Sequence, residues 1–508
     1  MEDMSRKKLF ILILIVLIVS VLVRFSYLKM DPPSYQDYGT AWFDEGAYAN
    51  NARNKVLFGD WKAENDSWNP MYISPTFNYL EFLSFKNLGV STFSMRLIPA
   101  IFGFLSIIIS TLLLMSRKFE EGAIFFILFS INPMLVMFNR IAMVEYLLLF
   151  FISIIIALMI RNKTYCWILA GFLVPLLFFS KMITLFFIAA IPISLLLYYK
   201  IYNVKSALKK FNLFFIGLIS SSLLWLFWLI PNFNNWIIAN FGGYGSRIGI
   251  SVIKESTALF RASQFFLLNP IIVAISIVFL ILTVSKIRKK EKLEFIELFS
   301  LIAIILFSIQ TFLADYALNR FLLLLPLLSL VSAIFMSGMQ GLSINIKNKS
   351  IIFSKSSLIF VVLLVYFLFS LTQLGIYFSV LSQNSEEAHT IFSNSKEISL
   401  YIKNETKVYG RYANALSLEN EIKPYFSTYH MDFANTDEKM LPLLEEKEIN
   451  YAILKENIFD DKEIAHYKGI ENSKVYDYIK DNFEIIKTIK GKHTRLNSQD
   501  DIYIYKRK

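Results

Sequence analysis

Two adjacent carboxylates, Asp44 and Glu45, stand near the start of WFDEGAYANNARNKVLFGDW at residues 42–61. A carboxylate shielded from water tends toward a raised pKa, and such a group can take a proton from a hydroxyl near neutral pH. Adjacent helical residues point about 100° apart, so one of the two faces a site. Asp44 is assigned that position, and Glu45 the task of holding a basic neighbour or orienting the first acid. The plainer alternative is capping, because aspartate is a favoured N-cap and a second acid suits the positive end of a helix dipole. After the pair, Ala47, Tyr48, Ala49, Ala52, Val56 and Leu57 fall close to helical spacing. That spacing predicts a short amphipathic helix lying along a membrane surface rather than crossing it.

The surroundings make that surface a bilayer. Over 508 residues the chain is 55% apolar and 18% charged, and its apolar residues arrive in long uninterrupted runs. A helix needs about 20 such residues to cross the hydrocarbon core. Eleven runs qualify as spans: 9–27, 94–115, 121–138, 142–160, 165–180, 183–199, 211–230, 265–285, 294–313, 321–339 and 352–379. The first has a basic start but no small-residue cleavage site before Asp31, so it is expected to stay as a span rather than leave as a signal peptide.

With the N-terminus inside, the inside connections hold 19 Lys and Arg and the short outside ones hold 6, which orients the bundle. A first loop at 28–93, a further loop at 231–264 and the tail from 380 then lie outside, and a Ser/Lys-rich connector at 345–357 lies inside. The net charge of +11 belongs to residues 1–379, with 32 basic against 18 acidic residues; residues 380–508 hold 19 against 22. A nucleic-acid protein would instead carry its basic face on a soluble domain.

The 129-residue tail alternates helix-like runs (EEAHTIFSNSKEISLYIKN, DEKMLPLLEEKEI, SKVYDYIKDNF) with strand-like ones (KVYG, NYAILK, FEIIKTIK, DIYIYK). A small α/β domain with a core of its own is expected. His389, His430, His466 and His493 are scattered, and the single cysteine, Cys166, has no partner, so neither a metal cluster nor a disulfide framework follows. The glycines of NFNNWIIANFGGYGSRIG (Gly242, Gly243 and Gly245) read as a turn or as a loop over a site.

The opening stretch, followed by YISPTFNYLEFLSFKNLGVSTFSMRLIPAIFG, resembles the first outside loop and second span of the integral-membrane glycosyltransferases of the GT-C class. It is closest to the branch of protein O-mannosyltransferases and of aminoarabinose transferases acting on lipid A, and the likeness covers the first third of the chain. The resemblance implies a sugar taken from a polyprenyl-phosphate carrier at the outer face, with the family's Asp-Glu pair falling on Asp44 and Glu45 and the aspartate as catalytic acid/base. It further implies roles for Arg140 and Glu145 in FNRIAMVEYLLLF, where the family more often has Asp than Glu. A carboxylate inside an apolar run is costly in lipid and is expected to face the bundle interior; pairing with Arg140 is its structural alternative.

Lys181 in FFSKMITLFF matches a lysine that meets the carrier phosphate, where a cation stabilises the leaving group; interfacial snorkelling is the alternative. Arg320 in DYALNRFLLLLPLLSL matches an Arg-aromatic-Leu stretch and can hold a phosphate bidentately, a purely topogenic arginine being the alternative. Where the family has a Lys-Pro-Pro-like turn this chain has Ile73, Ser74 and Pro75, so donor binding leans on Arg53, Lys62 or Lys86. Arg53, nine residues and two and a half turns beyond Asp44, is expected on the same helix face.

Together these readings predict a polytopic α-helical membrane protein of about eleven spans, GT-C-like over 1–379, with an extracytoplasmic α/β domain over 380–508. Its expected activity is inverting transfer of a sugar (mannose or another hexose or pentose) from a polyprenyl-phosphate donor to a hydroxyl of a lipid, glycan or protein. Asp44, Glu45 and Glu145 are the expected catalytic residues, and Lys181, Arg320, Arg53 and Arg140 the phosphate ligands. Membrane lipids are partners and nucleic acid is not. No cofactor is expected, since the first-loop acids Asp44, Glu45, Glu64 and Asp66 come without a histidine to favour a metal. The alternative from another class is a transporter or flippase, which calls for midplane ionisable groups and an internal repeat, or a cell-surface assembly protein.

Overall fold

Backbone polar groups in a bilayer must be bonded within their own segment, so long apolar runs fold as helices. The computed structural model describes residues 2–30, 43–62, 69–241, 252–313, 318–339, 342–346, 349–385, 391–410, 413–426, 436–446, 448–454, 474–490 and 501–508, with the short pieces 457, 459, 493–494 and 497–498. Every expected span has a helical counterpart in it. The helices up to the tail are α1 (Glu2–Phe25), α2 (Phe43–Phe58), α3 (Pro70–Ile73), α4 (Pro75–Leu88), α5 (Thr92–Met115), α6 (Phe119–Ser130), α7 (Pro133–Phe138) and α8 (Glu145–Arg161). They continue with α9 (Thr164–Ser180), α10 (Leu185–Tyr202), α11 (Lys205–Phe241), α12 (Val252–Leu268), α13 (Pro270–Arg288), α14 (Phe295–Leu313), α15 (Leu325–Gly338) and α16 (Lys355–Ser385). Among the described residues six helices are long and apolar enough to cross a membrane. On α11 the outward side chains Phe227 and Ile230 are 82% and 71% exposed, an apolar surface suited to lipid and not to water.

Four expectations are corrected. Residues 121–138 are two helices, because Pro133 has no N–H to continue α6 and Asn132 instead caps α7, accepting from the Leu135 N–H at 3.0 Å. The expected loop at 231–264 is largely helix: α11 runs to Phe241, and at about 1.5 Å per residue its 37 residues exceed a bilayer's thickness. α12 then starts at Val252 and ends at Leu268 before Pro270, which splits the expected span 265–285. The connector at 345–357 contains an antiparallel hairpin, β1 (Leu342–Ile346) and β2 (Lys349–Phe353), with Leu342 opposite Phe353. Gly242, Gly243, Gly245, Glu64, Asp66, His389, His430 and His466 lie outside the described residues.

The tail holds α17 (Ile391–Ile398), β3 (Lys407–Gly410), α18 (Ala413–Leu416), β4 (Lys423–Phe426), α19 (Thr436–Glu445), β5 (Tyr451–Leu454), α20 (Lys474–Asn482), β6 (Phe483–Ile489), the two-residue strands β7 (His493–Thr494) and β8 (Asn497–Ser498), and β9 (Ile502–Arg507). Five strands form one sheet in the order β4-β3-β5-β9-β6. β3 pairs in parallel with β4 and β5, while β9 runs antiparallel between β5 and β6. Successive strand residues point to opposite faces. One face, with Tyr409, Tyr425, Tyr503 and Tyr505, packs under α19 and α20. The other, with Val408, Ile453, Ile502 and Ile504, joins α17, α18 and the apolar core of the helix bundle. The tail therefore has one core of its own and a second that it shares with the membrane module.

Candidate active site

The helix carrying the acidic pair has acids in its first turn and Lys55 in its last, complementing its dipole at both ends. It is enclosed by protein instead of lying on a surface: Ala47, Tyr48, Ala49, Asn50, Asn51, Ala52 and Arg53 are each at most 5% exposed. Advancing 100° per residue places Gly46, Asn50 and Arg53 on one face of α2 and Asp44, Tyr48 and Asn51 on the opposite face. The first face meets the tail and the second meets the bundle.

Glu45 falls between these faces and is fully engaged. Arg96 of α5 donates to it bidentately, Nε to Oε1 and Nη2 to Oε2, both at 2.8 Å. The Ala142 N–H donates to Oε1 at 2.8 Å, and the remaining Arg96 nitrogen reaches the Leu28 and Met30 carbonyls. Both side chains are 0% exposed. One carboxylate thus fastens α2 to α5, to the end of α1 and to the segment entering α8. Sequence reasoning misses Arg96, although an arginine five residues into an apolar helix is itself a signal that a partner must exist. Glu81 of α4 lies beside Glu45, is completely buried, and has no hydrogen-bond partner at either oxygen. Burial, and then the Glu45 charge, push its pKa well above the ordinary carboxylic value, favouring the neutral acid.

On the opposite face of α2 the charged groups converge. Lys181, the extended residue that ends α9, donates from Nζ to Glu145 Oε1 at 2.7 Å. Its Nζ also lies 5.2 Å from the centre of the Tyr48 ring. Burial pushes the Tyr48 phenol up, Lys181 opposes this, and Glu145 and Asp44 reinforce it, so each of the three charged groups lies within electrostatic reach of Tyr48. Glu145, the first residue of α8, keeps Oε2 buried without a hydrogen-bond partner. Asp44 is partly exposed where Glu45 is not. A partly exposed aspartate on the helix face that meets a lysine held in place by a second acid can accept a proton while the ammonium faces an anion.

The arginines divide differently from expectation. Arg140 does not pair with Glu145: it donates from Nη2 to the Tyr27 carbonyl at 2.6 Å and from Nη1 to the Val23 carbonyl at 3.1 Å and to the Ser26 carbonyl, closing the C-terminal end of α1. Arg53 is not on the Asp44 face, because two and a half turns leave a residue half a turn away. Its Nη2 donates to the Asn420 and Ile422 carbonyls of the tail, each at 2.8 Å. Arg320 lies partly exposed on the 3-10 turn Leu318–Leu324. Lys62 and Lys86 are exposed, the latter over the Phe82 ring.

Two cavities open within the helical part. One of about 270 Å³, almost wholly apolar, lies among α12, α13, α14 and α15 and is lined by Phe265, Phe307 and Phe321, the last being the neighbour of Arg320. The other, about 400 Å³, is lined by Trp61, Asn78, Trp225 and Trp228. It adjoins the Asp44 face of α2, where Asn51 Nδ2 donates to the Trp61 carbonyl at 2.6 Å.

No family model matches this chain, and no curated protein does. Among solved structures, ArnT from Cupriavidus metallidurans matches over 97% of this chain and 97% of its own, at 12% identity. The TM-score is 0.63 for ArnT bound to undecaprenyl phosphate and 0.64 for the apo state. The chain has the ArnT fold. This ArnT-like fold accounts for the mostly helical, multi-pass membrane module and the small sheet-containing tail as one architecture. The arabinofuranosyltransferase AftD from Mycobacteria matches over 97% of this chain but 39% of its own, with a TM-score of 0.46 at 13% identity.

Proposed function

We propose that the protein is a membrane glycosyltransferase that moves a sugar from a polyprenyl-phosphate donor to an acceptor hydroxyl on the extracytoplasmic face, with inversion. The observation that carries this reading is the Lys181–Glu145 pair at 2.7 Å, with the same Lys181 Nζ 5.2 Å from the Tyr48 ring on the face of α2 that also bears Asp44. The apolar cavity lined by Phe321, the sequence neighbour of Arg320, supports it, since such a space suits an isoprenyl chain. The fold shared with ArnT, a protein crystallised with undecaprenyl phosphate, supports the same donor class.

In this mechanism Lys181, oriented by Glu145, and Arg320 hold the donor phosphate. Asp44 takes the acceptor hydroxyl's proton as the oxygen attacks the anomeric carbon from the side opposite the phosphate. The bond from that carbon to the phosphate oxygen breaks, its electron pair leaving with the carrier phosphate, whose growing charge the two cations stabilise. A single in-line displacement inverts the anomeric centre. Glu45, occupied by Arg96 and Ala142, serves by fixing the helix that bears Asp44.

The test is transfer or hydrolysis of radiolabelled polyprenyl-phosphate mannose, then of other carrier-linked sugars, by purified wild type and Asp44→Asn. Label released by the wild type and not by the folded variant supports donor class and base together. Release by neither, with donor binding also absent, returns the transporter and assembly readings.

A further inference from the structure

The tail grips the back of the helix that carries Asp44, and it does so through one short segment. At Ala415 the approach to α2 is so close that a Cβ on Gly46 would lie 2.2 Å from the Ala415 nitrogen and 2.7 Å from its Cβ, so only glycine fits there. Two turns further on, Arg53 reaches the Asn420 and Ile422 carbonyls, is 0% exposed, and leaves no room for a bound phosphate between guanidinium and tail.

The same segment holds α5. Glu419 Oε1 accepts from the Thr92 N–H at 2.6 Å and from its hydroxyl at 2.9 Å, satisfying the N-terminus of the helix that bears Arg96. The segment is itself anchored within the tail, for the Ser395 hydroxyl of α17 accepts from the Glu419 N–H at 2.9 Å, and the Asn420 amide donates to the Ser395 carbonyl at 2.9 Å.

These contacts form a closed mechanical loop. Residues 413–422 bind α2 and α5 from behind, and Glu45–Arg96 binds the same two helices to each other. The side of α2 that they leave open is the side of Asp44 and Tyr48.

We propose that residues 413–422 are the positioning element of the active site, and that Arg53 and Glu419 act on catalysis through the placement of Asp44. This rests on the reading of Asp44 as the base. The tail is then a working part of the catalytic module, and Arg53 is a positioning residue and not a donor ligand.

Full-length wild type, Arg53→Ala, Arg53→Lys and Glu419→Gln decide the matter through two readouts, steady-state transfer and hydrogen exchange. A misplacement of about 1 Å costs on the order of 10²-fold in rate, so Arg53→Ala lowers kcat by about 10- to 100-fold while donor KM stays within about twofold. Arg53→Lys recovers part of that loss, since an ammonium still reaches one carbonyl, and Glu419→Gln lowers kcat less. Amide exchange in α2 speeds up by about tenfold in Arg53→Ala, with α8 and α9 unchanged.

A rise in donor KM at constant kcat overturns the proposal in favour of a phosphate ligand. Unchanged α2 exchange, or acceleration spread equally over α2, α8 and α9, overturns it too. A wild type inert toward every carrier donor removes the reading of Asp44, while the exchange result still decides whether the segment holds α2.

Discussion

Breaking the Glu45–Arg96 pair one side at a time separates a carboxylate that positions from one that reacts. Both side chains are completely buried and joined by two 2.8 Å bonds. Removing one partner of such a pair costs about 3–5 kcal/mol, because the other is left as a buried unpaired charge. In Glu45→Ala the Ala142 N–H also loses its acceptor, about 1–3 kcal/mol more where water cannot replace it. Against a typical stability of about 5–15 kcal/mol, Glu45→Ala should be hard to purify folded. Glu45→Gln retains an acceptor for Ala142 and for one Arg96 nitrogen, and loses less.

Replacing both partners with apolar side chains of similar volume, Glu45→Leu with Arg96→Met, removes the unpaired charge and should melt at a higher temperature than Glu45→Ala or Arg96→Ala alone. Thermal stability by size-exclusion chromatography in detergent, read beside transfer at a temperature where each variant is folded, supplies both axes. Positioning predicts that activity follows stability across the series. If Glu45→Gln keeps the wild-type melting temperature yet loses transfer as completely as Asp44→Asn, the reasoning is wrong and Glu45 takes part in proton chemistry.

Lys181→Ala should lower kcat/KM by about 10²–10³-fold, with Lys181→Arg retaining part of the activity and Glu145→Gln intermediate; equal kcat/KM in Lys181→Ala and wild type removes it from the phosphate site. Glu81 has a raised folded pKa, so its contribution to stability is fully present below the unfolded value of 4.5 and is lost as pH rises toward the folded one. Glu81→Gln should accordingly gain melting temperature over wild type increasingly from pH 5 to pH 8, the gain growing by at most about 1.4 kcal/mol for each tenfold fall in proton concentration; a gain independent of pH would show that ionisation is not the cause. Ala262→Trp fills part of the apolar cavity and should raise KM for a long-chain carrier donor while sparing a short-chain isoprenyl donor. Equal effects on the two would disconnect that cavity from the lipid chain.

Residue patterns alone place helix in every long apolar run, because a run of some twenty apolar residues has few other fates, but not α3, α4 and most of α12, which lie in expected loops. They also locate four of the five strands of the tail's main sheet. The fifth, KPYF at β4, has a proline and no alternation to mark it. The break at Asn132–Pro133 is written in that dipeptide, but the apolar run on both sides of it looks continuous and masks it. The C-terminal end of α11 resembles loop because its asparagines are set among aromatics.

At the site, Asp44 and Lys181 stand out by type and place. The partners of Glu45 and Arg53 do not, since 51 residues separate Glu45 from Arg96 and no local spacing encodes such a pairing. Gly46 is similarly opaque: what forbids a side chain there is Ala415, brought in by the tertiary fold.

Arg53 and the carbonyl of Asn420 are 367 residues apart, and that separation is also an interval of time. At about 5–20 residues per second of synthesis, α2 waits about 20 to 70 seconds after emerging before its rear contact exists. During that interval a guanidinium destined for burial has its carbonyl partners still untranslated. A ribosome that stalls after α16 but before residue 413 leaves behind a bundle with its helices threaded and its working helix unsupported. Such a product carries an open seam behind α2, and the arrival of residues 413–422 is what closes it.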